Sequence, residues 1–310
     1  MITIRKYFIA WAIAAIPCTA AFSQSEQDAL MMGKKNLCIA ASYGYSSWDK
    51  YWEGTLKRDN LNIGTFSTQS AMVMLNYGIT NNLNIMASLP YVSTKTTGGT
   101  LSGLNGLQDV SFFVKYRPVK KVFGRQKFTF FAIGGYTAPS HNYNIDLMPM
   151  SIGMGSNVLT GRLIADYQFS KIFITASGSF MYRNNVNIDR TAYFTTHQIN
   201  SSEVEMPNAG NYQLRTGYRT PMLIAEAFVD YQRTFGGFDI RRNDMPFVSN
   251  QMNSTNLGFE GKYYLKKLPE LGLHATVWRT LDGRNVGRSS GFMAGILYTL
   301  KFGNHPITRL

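Results

Sequence analysis

Apolar and polar residues alternate along most of this chain, in short runs separated by polar turns and loops. In AMVMLNYG (71–78), Ala71, Val73, Leu75 and Tyr77 share one face, with Met72, Met74 and Asn76 on the other. LNIMASLPY (83–91) sets Leu83, Ile85, Ala87, Leu89 and Tyr91 against Asn84, Met86, Ser88 and Pro90. DVSFFVKYR (109–117) sets Val110, Phe112, Val114 and Tyr116 against Asp109, Ser111, Lys115 and Arg117, with Phe113 out of pattern. A period of two marks a strand that faces two different environments. Each apolar row ends in a tyrosine, whose amphipathic ring suits a membrane–water interface. Thr80-Asn81-Asn82 reads as a tight turn, because Asn tolerates positive φ and bonds its own backbone.

The same unit recurs, giving further strands at 37–46, 128–139, 159–169, 172–182, 211–218, 222–232, 254–265, 271–280 and 291–302. Short connections such as Ser170-Lys171 alternate with long ones such as 140–157 and 183–210, the latter without clear periodicity. This pattern predicts an all-β fold, an antiparallel transmembrane β-barrel of about twelve strands in the bacterial outer membrane. Short turns then face the periplasm and long loops the exterior. A water-soluble barrel has the same period but a polar outside. Here the charges fall on the parity opposite the apolar rows, so the apolar face meets lipid.

Composition agrees: aromatic residues reach 14% and charged residues only 16%, against about 25% charged in soluble domains. The first residues read as a signal peptide over 1–23, leaving 24–310 as a single barrel domain. Arg5 and Lys6 precede the apolar run Tyr7 to Ile16, and Ala21 and Ser23 sit at the −3 and −1 positions of a cut before Gln24. That run is shorter than the roughly 20 residues a spanning helix needs. Cleavage leaves Cys38 as the lone cysteine, so no internal disulfide is expected.

The chain resembles a known family on several motifs. They are YGITNNLNIMASLPYV (77–92), GLQDVSFFVKYRP (106–118), GGYTAPS (134–140), SIGMGSN (151–157) and a strand holding Asp166-Tyr167. The family is that of outer-membrane transporters of the meta-pathway of phenol degradation, and the resemblance runs over about residues 70–182. It implies a barrel and small hydrophobic or aromatic cargo. The match fades beyond Tyr182, and the tail GNHPITRL follows the terminal aromatic Phe302, which in such barrels usually ends the chain.

No nucleotide-binding glycine loop, metal-ligand cluster or nucleophile elbow occurs, so neither an enzyme nor a cofactor is expected. Met148, Met150 and Met154 are soft-metal ligand types, but with no His or Cys among them they read as loop packing. Nucleic acid is not an expected partner of an exported barrel without a basic helix; outer-membrane lipid and a small solute are. The candidate site is the lumen. Lys115, Arg117, Arg162, Asp166, Arg215, Glu226, Asp230, Glu260, Lys262 and Arg279 are assigned inward, joined by His274 and by the apolar Phe113, Phe131, Ile133, Phe173 and Trp278. Paired, these charges brace the lumen; unpaired, they line a path for polar solutes. Bracing is the stronger reading, because unpaired charges in a tight lumen are costly. Two functions follow: a passive channel for small hydrophobic or aromatic solutes, or a closed structural barrel that works through its loops.

Overall fold

The computed structural model describes residues 25–242 and 244–302, so the signal-peptide reading and the tail lie outside the described residues. The main strands are β1 (Asn36–Trp48), β2 (Phe66–Gly78), β3 (Leu83–Thr96), β4 (Val110–Phe123), β5 (Gln126–Ala138) and β6 (Val158–Phe169). They continue with β7 (Ile172–Arg183), β8 (Ala209–Arg219), β9 (Leu223–Thr234), β10 (Asn253–Leu265), β11 (Leu268–Arg284) and β12 (Ser290–Lys301). Each pairs antiparallel with the next, and β12 returns to β1 with Asn36 opposite Lys301 and Ser47 opposite Ser290. The result is a closed antiparallel barrel of twelve strands. Closure matters because an open strand edge in hydrocarbon would leave backbone groups unbonded.

The outside is apolar. Val73, Leu75, Phe112, Val114, Leu163, Ile174, Leu214, Val229, Phe259, Val277 and Ile296 are all exposed on the parity that faces away from the lumen. Tyr91, Tyr136, Tyr182, Tyr212 and Tyr231 girdle the end nearer the long loops, and Tyr167, Tyr263 and Tyr298 the end nearer the short turns. An apolar band between two aromatic girdles is the build of an outer-membrane barrel. The short turns need special backbone only locally: Gly124 takes φ 58° at the β4–β5 turn, and Ser170 φ 56° at β6–β7.

The long loops are folded. Loop 184–208, without periodicity in the sequence, is a nested hairpin in which Val186–Asn187 pairs with Glu203–Val204 and Tyr193–Phe194 with Gln198–Ile199. Its Val186, Ile188, Val204 and Met206 form one core with Ile145 and Val248 of neighbouring loops. Met148 and Met154 pack against that core and Met150 is fully buried, so these methionines serve packing. Tyr143 fixes loop 139–157 to the barrel rim: its hydroxyl donates to Asp109 Oδ1 and accepts from the Gly155 amide. Burial and the Asp109 carboxylate both push the Tyr143 phenol above its usual range.

Candidate functional site

The segment Ser25–Lys35 enters the barrel instead of following its wall. Ala29 packs with Phe131, Ile133 and Ile164; Leu30 with Phe173 and Ile224; Met32 with Cys38, Ala40, Tyr264 and Leu297. Phe173, Ile224 and Tyr264 each lie one residue from the turn end of their strand, so the segment fills the periplasmic half of the lumen. Its apolar side chains pack on apolar residues of the inner wall.

One carboxylate anchors it. Asp28 meets Lys115 Nζ at 3.1 Å and Lys262 Nζ at 3.0 Å. Lys115 also donates to the carbonyls of Ser25 at 2.8 Å and Asp28 at 2.6 Å, and its side chain is wholly buried. In a ring of twelve strands, β4 and β10 stand on opposite walls, so Asp28 ties the two walls together through the segment. Burial alone would push its carboxyl up; the two ammoniums more than reverse this and hold it below the usual carboxylate range.

From Lys262 a chain of ion pairs climbs the wall of β8–β10. Lys262 meets Glu260 at 3.1 Å, and Glu260 meets Arg215 at 2.8 Å. Arg215 also pairs with Glu226, donates to Gln213 Oε1 at 2.6 Å, and lies over the Phe228 ring at 5.0 Å. Asp230 accepts from Asn211 at 2.6 Å and from Gln213 at 3.4 Å. Nearer the turns, Asp166 pairs with Arg219 at 3.1 Å and accepts from Thr175 at 2.5 Å. Each buried charge in these chains meets a charged or hydrogen-bonding partner, the condition under which it is tolerated.

Above the segment lies a cavity of about 550 Å³, floored by Ser25, Glu26 and Gln27. One side is soft and apolar, with Met72, Met74, Phe113, Met293 and Trp278. The other carries Asn211, Gln213, Asp230, Gln232 and Asn256. His274 is engaged by Ser42, Nε2 to Oγ 2.8 Å. Trp278 lies against Gly291, where a Cβ would come 2.5 Å from the indole, so the ring needs glycine opposite it.

No family model matches the chain, and no curated protein matches it. Among solved structures, the COG4313 outer membrane channel from Pseudomonas putida F1 aligns with TM-score 0.69 at 15% identity, covering 90% of this chain and 100% of that one. The shared fold is that of a bacterial outer-membrane β-barrel. The NanC porin aligns more loosely, with TM-score 0.48 at 10% identity over 84% of this chain and all of that one.

The residues assigned inward from the sequence do not share one place. Arg215, Asp230, Glu260, Lys262, His274, Trp278 and Phe113 border the cavity. Glu226 stands behind it on Arg215, and Lys115 below it on Asp28. Phe131 is not open to the cavity: the inserted segment covers it and Lys115 Nζ sits 5.3 Å from its ring. Arg162 is buried, with Nε and Nη1 unbonded among the described residues. Arg117 stands at a bulge between Tyr116 and Val119, where it and Pro118 leave the β4–β5 ladder. Its guanidinium donates to Asn82 Oδ1 at 2.8 Å and to the Asn81 carbonyl at 2.7 Å, bracing the first turn. One assignment needs correction. Arg279 is exposed and shares the outward parity of Leu273 and Val277 at the loop end of β11, a level where a long cationic side chain reaches water.

Sequence reasoning missed Asp28, the segment around it, and Arg219, which reads as a turn residue. The signal was the run Ala29-Leu30-Met31-Met32 behind two acids, apolar yet without strand alternation. In a barrel whose strands supply the lipid face, such a run has only the lumen left to enter.

Proposed function

We propose that this outer-membrane barrel is a passive channel for small, neutral, hydrophobic or aromatic solutes. The observation that carries the reading is the cavity of about 550 Å³ with an apolar and a hydrogen-bonding side. A mainly apolar concavity with a few oriented polar groups is the usual form of a small-molecule site. The ion pairs of Arg215, Glu226, Glu260 and Lys262 neutralise one another within the wall. An anionic solute must compete for Arg215 or Lys262, each already paired, and so strand a buried carboxylate, whereas a neutral one need not. The resemblance of residues 70–182 to transporters of phenol degradation supports the same class of cargo. With no nucleotide-binding loop in the sequence, movement follows the solute gradient.

The test is uptake by liposomes holding the purified barrel, with neutral aromatics compared against sugars and organic acids of similar size. The aromatics are expected to enter fastest, and Trp278→Arg to slow them severalfold while the folded, heat-modifiable band persists. Uptake no faster than in protein-free liposomes for every solute would overturn the channel. It would favour a closed barrel acting through its loops, a reading that the shared core of loops 139–157, 184–208 and 235–252 supports.

A further inference from the structure

The two rims of the barrel differ in how they manage charge. At the loop end four cations are answered by acids, Lys50 by Asp59 at 2.7 Å, Arg58 by Glu53 at 2.6 Å, Arg190 by Asp146 at 3.0 Å, and Arg284 by Asp239 at 2.6 Å, while Lys57 and Lys95 are exposed and form no ion pair among the described residues. At the turn end, Lys121 and Arg125 of the β4–β5 hairpin, Lys171 of the β6–β7 turn and Lys267 of the β10–β11 turn are exposed. Among the described residues none of these four forms an ion pair, and the acid of this rim, Glu270, is taken by Lys301. Lys34 and Lys35, just before β1, add two more exposed cations at the same end.

These cations stand beside exposed apolar residues. Phe123 shares the outward parity of Lys121, Phe169 and Ile172 flank Lys171, and Leu268 follows Lys267, all exposed. Side chains of that alternation sit where hydrocarbon gives way to headgroups, with each ammonium snorkelling from an apolar root. The turns involved also stand well apart around the ring, before β1, after β4, after β6 and after β10. A globular acidic partner would cover one side; an annulus of lipid touches every side.

We propose that this rim is a binding surface for anionic phospholipid, phosphatidylglycerol or cardiolipin, in the periplasmic leaflet. Each lysine or arginine close to an anionic surface favours contact by a factor of about five. Neutralising four of them therefore removes most of the preference. Salt should weaken it as well, because the contacts are exposed.

The experiment reconstitutes the full barrel in vesicles of phosphatidylcholine with one part in five phosphatidylglycerol. The protein is then extracted in mild detergent, and the ratio of the two lipids that stay with it is measured. The wild-type barrel should enrich phosphatidylglycerol severalfold over the vesicle ratio, less so in high salt. The variant Lys121→Gln, Arg125→Gln, Lys171→Gln, Lys267→Gln should bring the ratio most of the way back to that of the vesicle. A control, Lys57→Gln with Lys95→Gln at the loop end, should keep the enrichment. Heat-modifiable migration checks that each variant is folded; if the four-site variant fails to fold, Lys121→Gln with Arg125→Gln alone should halve the enrichment or more. Equal enrichment by wild type and folded rim variants overturns the proposal. So does binding of soluble polyglutamate by the rim without lipid enrichment, which would reassign it to an acidic macromolecule.

Discussion

Replacing Asp28 by asparagine should open the periplasmic half of the lumen. The change keeps the size of the side chain and one acceptor oxygen but removes the charge that faces both Lys115 and Lys262. Lys262 retains Glu260 at 3.1 Å, whereas Lys115 keeps only neutral partners: the amide oxygen at position 28, the carbonyls of residues 25 and 28, and the Phe131 ring at 5.3 Å. Removing one partner of a buried pair costs about 3–5 kcal/mol, and with acceptor atoms left in place the low end applies. At about 1.4 kcal/mol per tenfold, 3 kcal/mol shifts the docked-to-undocked ratio of the segment by roughly a hundredfold. Single-channel recording in planar bilayers reads this as a higher open fraction. The double variant Asp28→Asn, Lys115→Met should recover part of the docking, since the stranded ammonium has gone with its partner. Because the folded-state pKa of Asp28 is depressed, its contribution is complete above the unfolded value near 3.9 and lost only as pH falls below that. The docking that Asp28 supplies should therefore not change between about pH 5 and 8. An Asp28→Asn barrel with unchanged open fraction and stability would show that apolar contacts of Ala29, Leu30 and Met32 hold the segment without the carboxylate.

Leu75→Arg or Ile296→Arg, on the exposed apolar band, should each cost about 2–4 kcal/mol in urea unfolding from lipid, while Thr276→Arg at the cavity should cost less; equal penalties would contradict the assigned faces. A protease site placed between Tyr193 and Ile199 should be cut in intact cells and one at Lys266-Lys267 should not; the reverse would invert the orientation. Tyr143→Phe removes both the donor to Asp109 and the acceptor of the Gly155 amide, for about 1–3 kcal/mol of local stability; limited proteolysis should cut loop 139–157 faster while the barrel stays intact.

The strands were legible from the sequence because a strand's faces are a local property. Each side chain points opposite to its neighbour, so the alternation in 71–78 or 291–302 already separates lipid from lumen, and strand ends follow where turn residues break it. The same locality has a limit: a bulge between Tyr116 and Val119 inverts the parity of the rest of β4, and only the pairing of β4 with β5 reveals it. Which charges neutralise one another was beyond the sequence, because Lys115 and Lys262 meet at Asp28 only once the ring has closed and set β4 opposite β10. The inserted segment was invisible for a related reason. Its apolar residues have no period of their own and take their meaning from the cavity that receives them. Twelve strands lie between a barrel of eight that side chains fill and one of sixteen that stands open, so the count leaves the bore undetermined. The segment 25–35 decides it, by occupying the periplasmic half and leaving the cavity above.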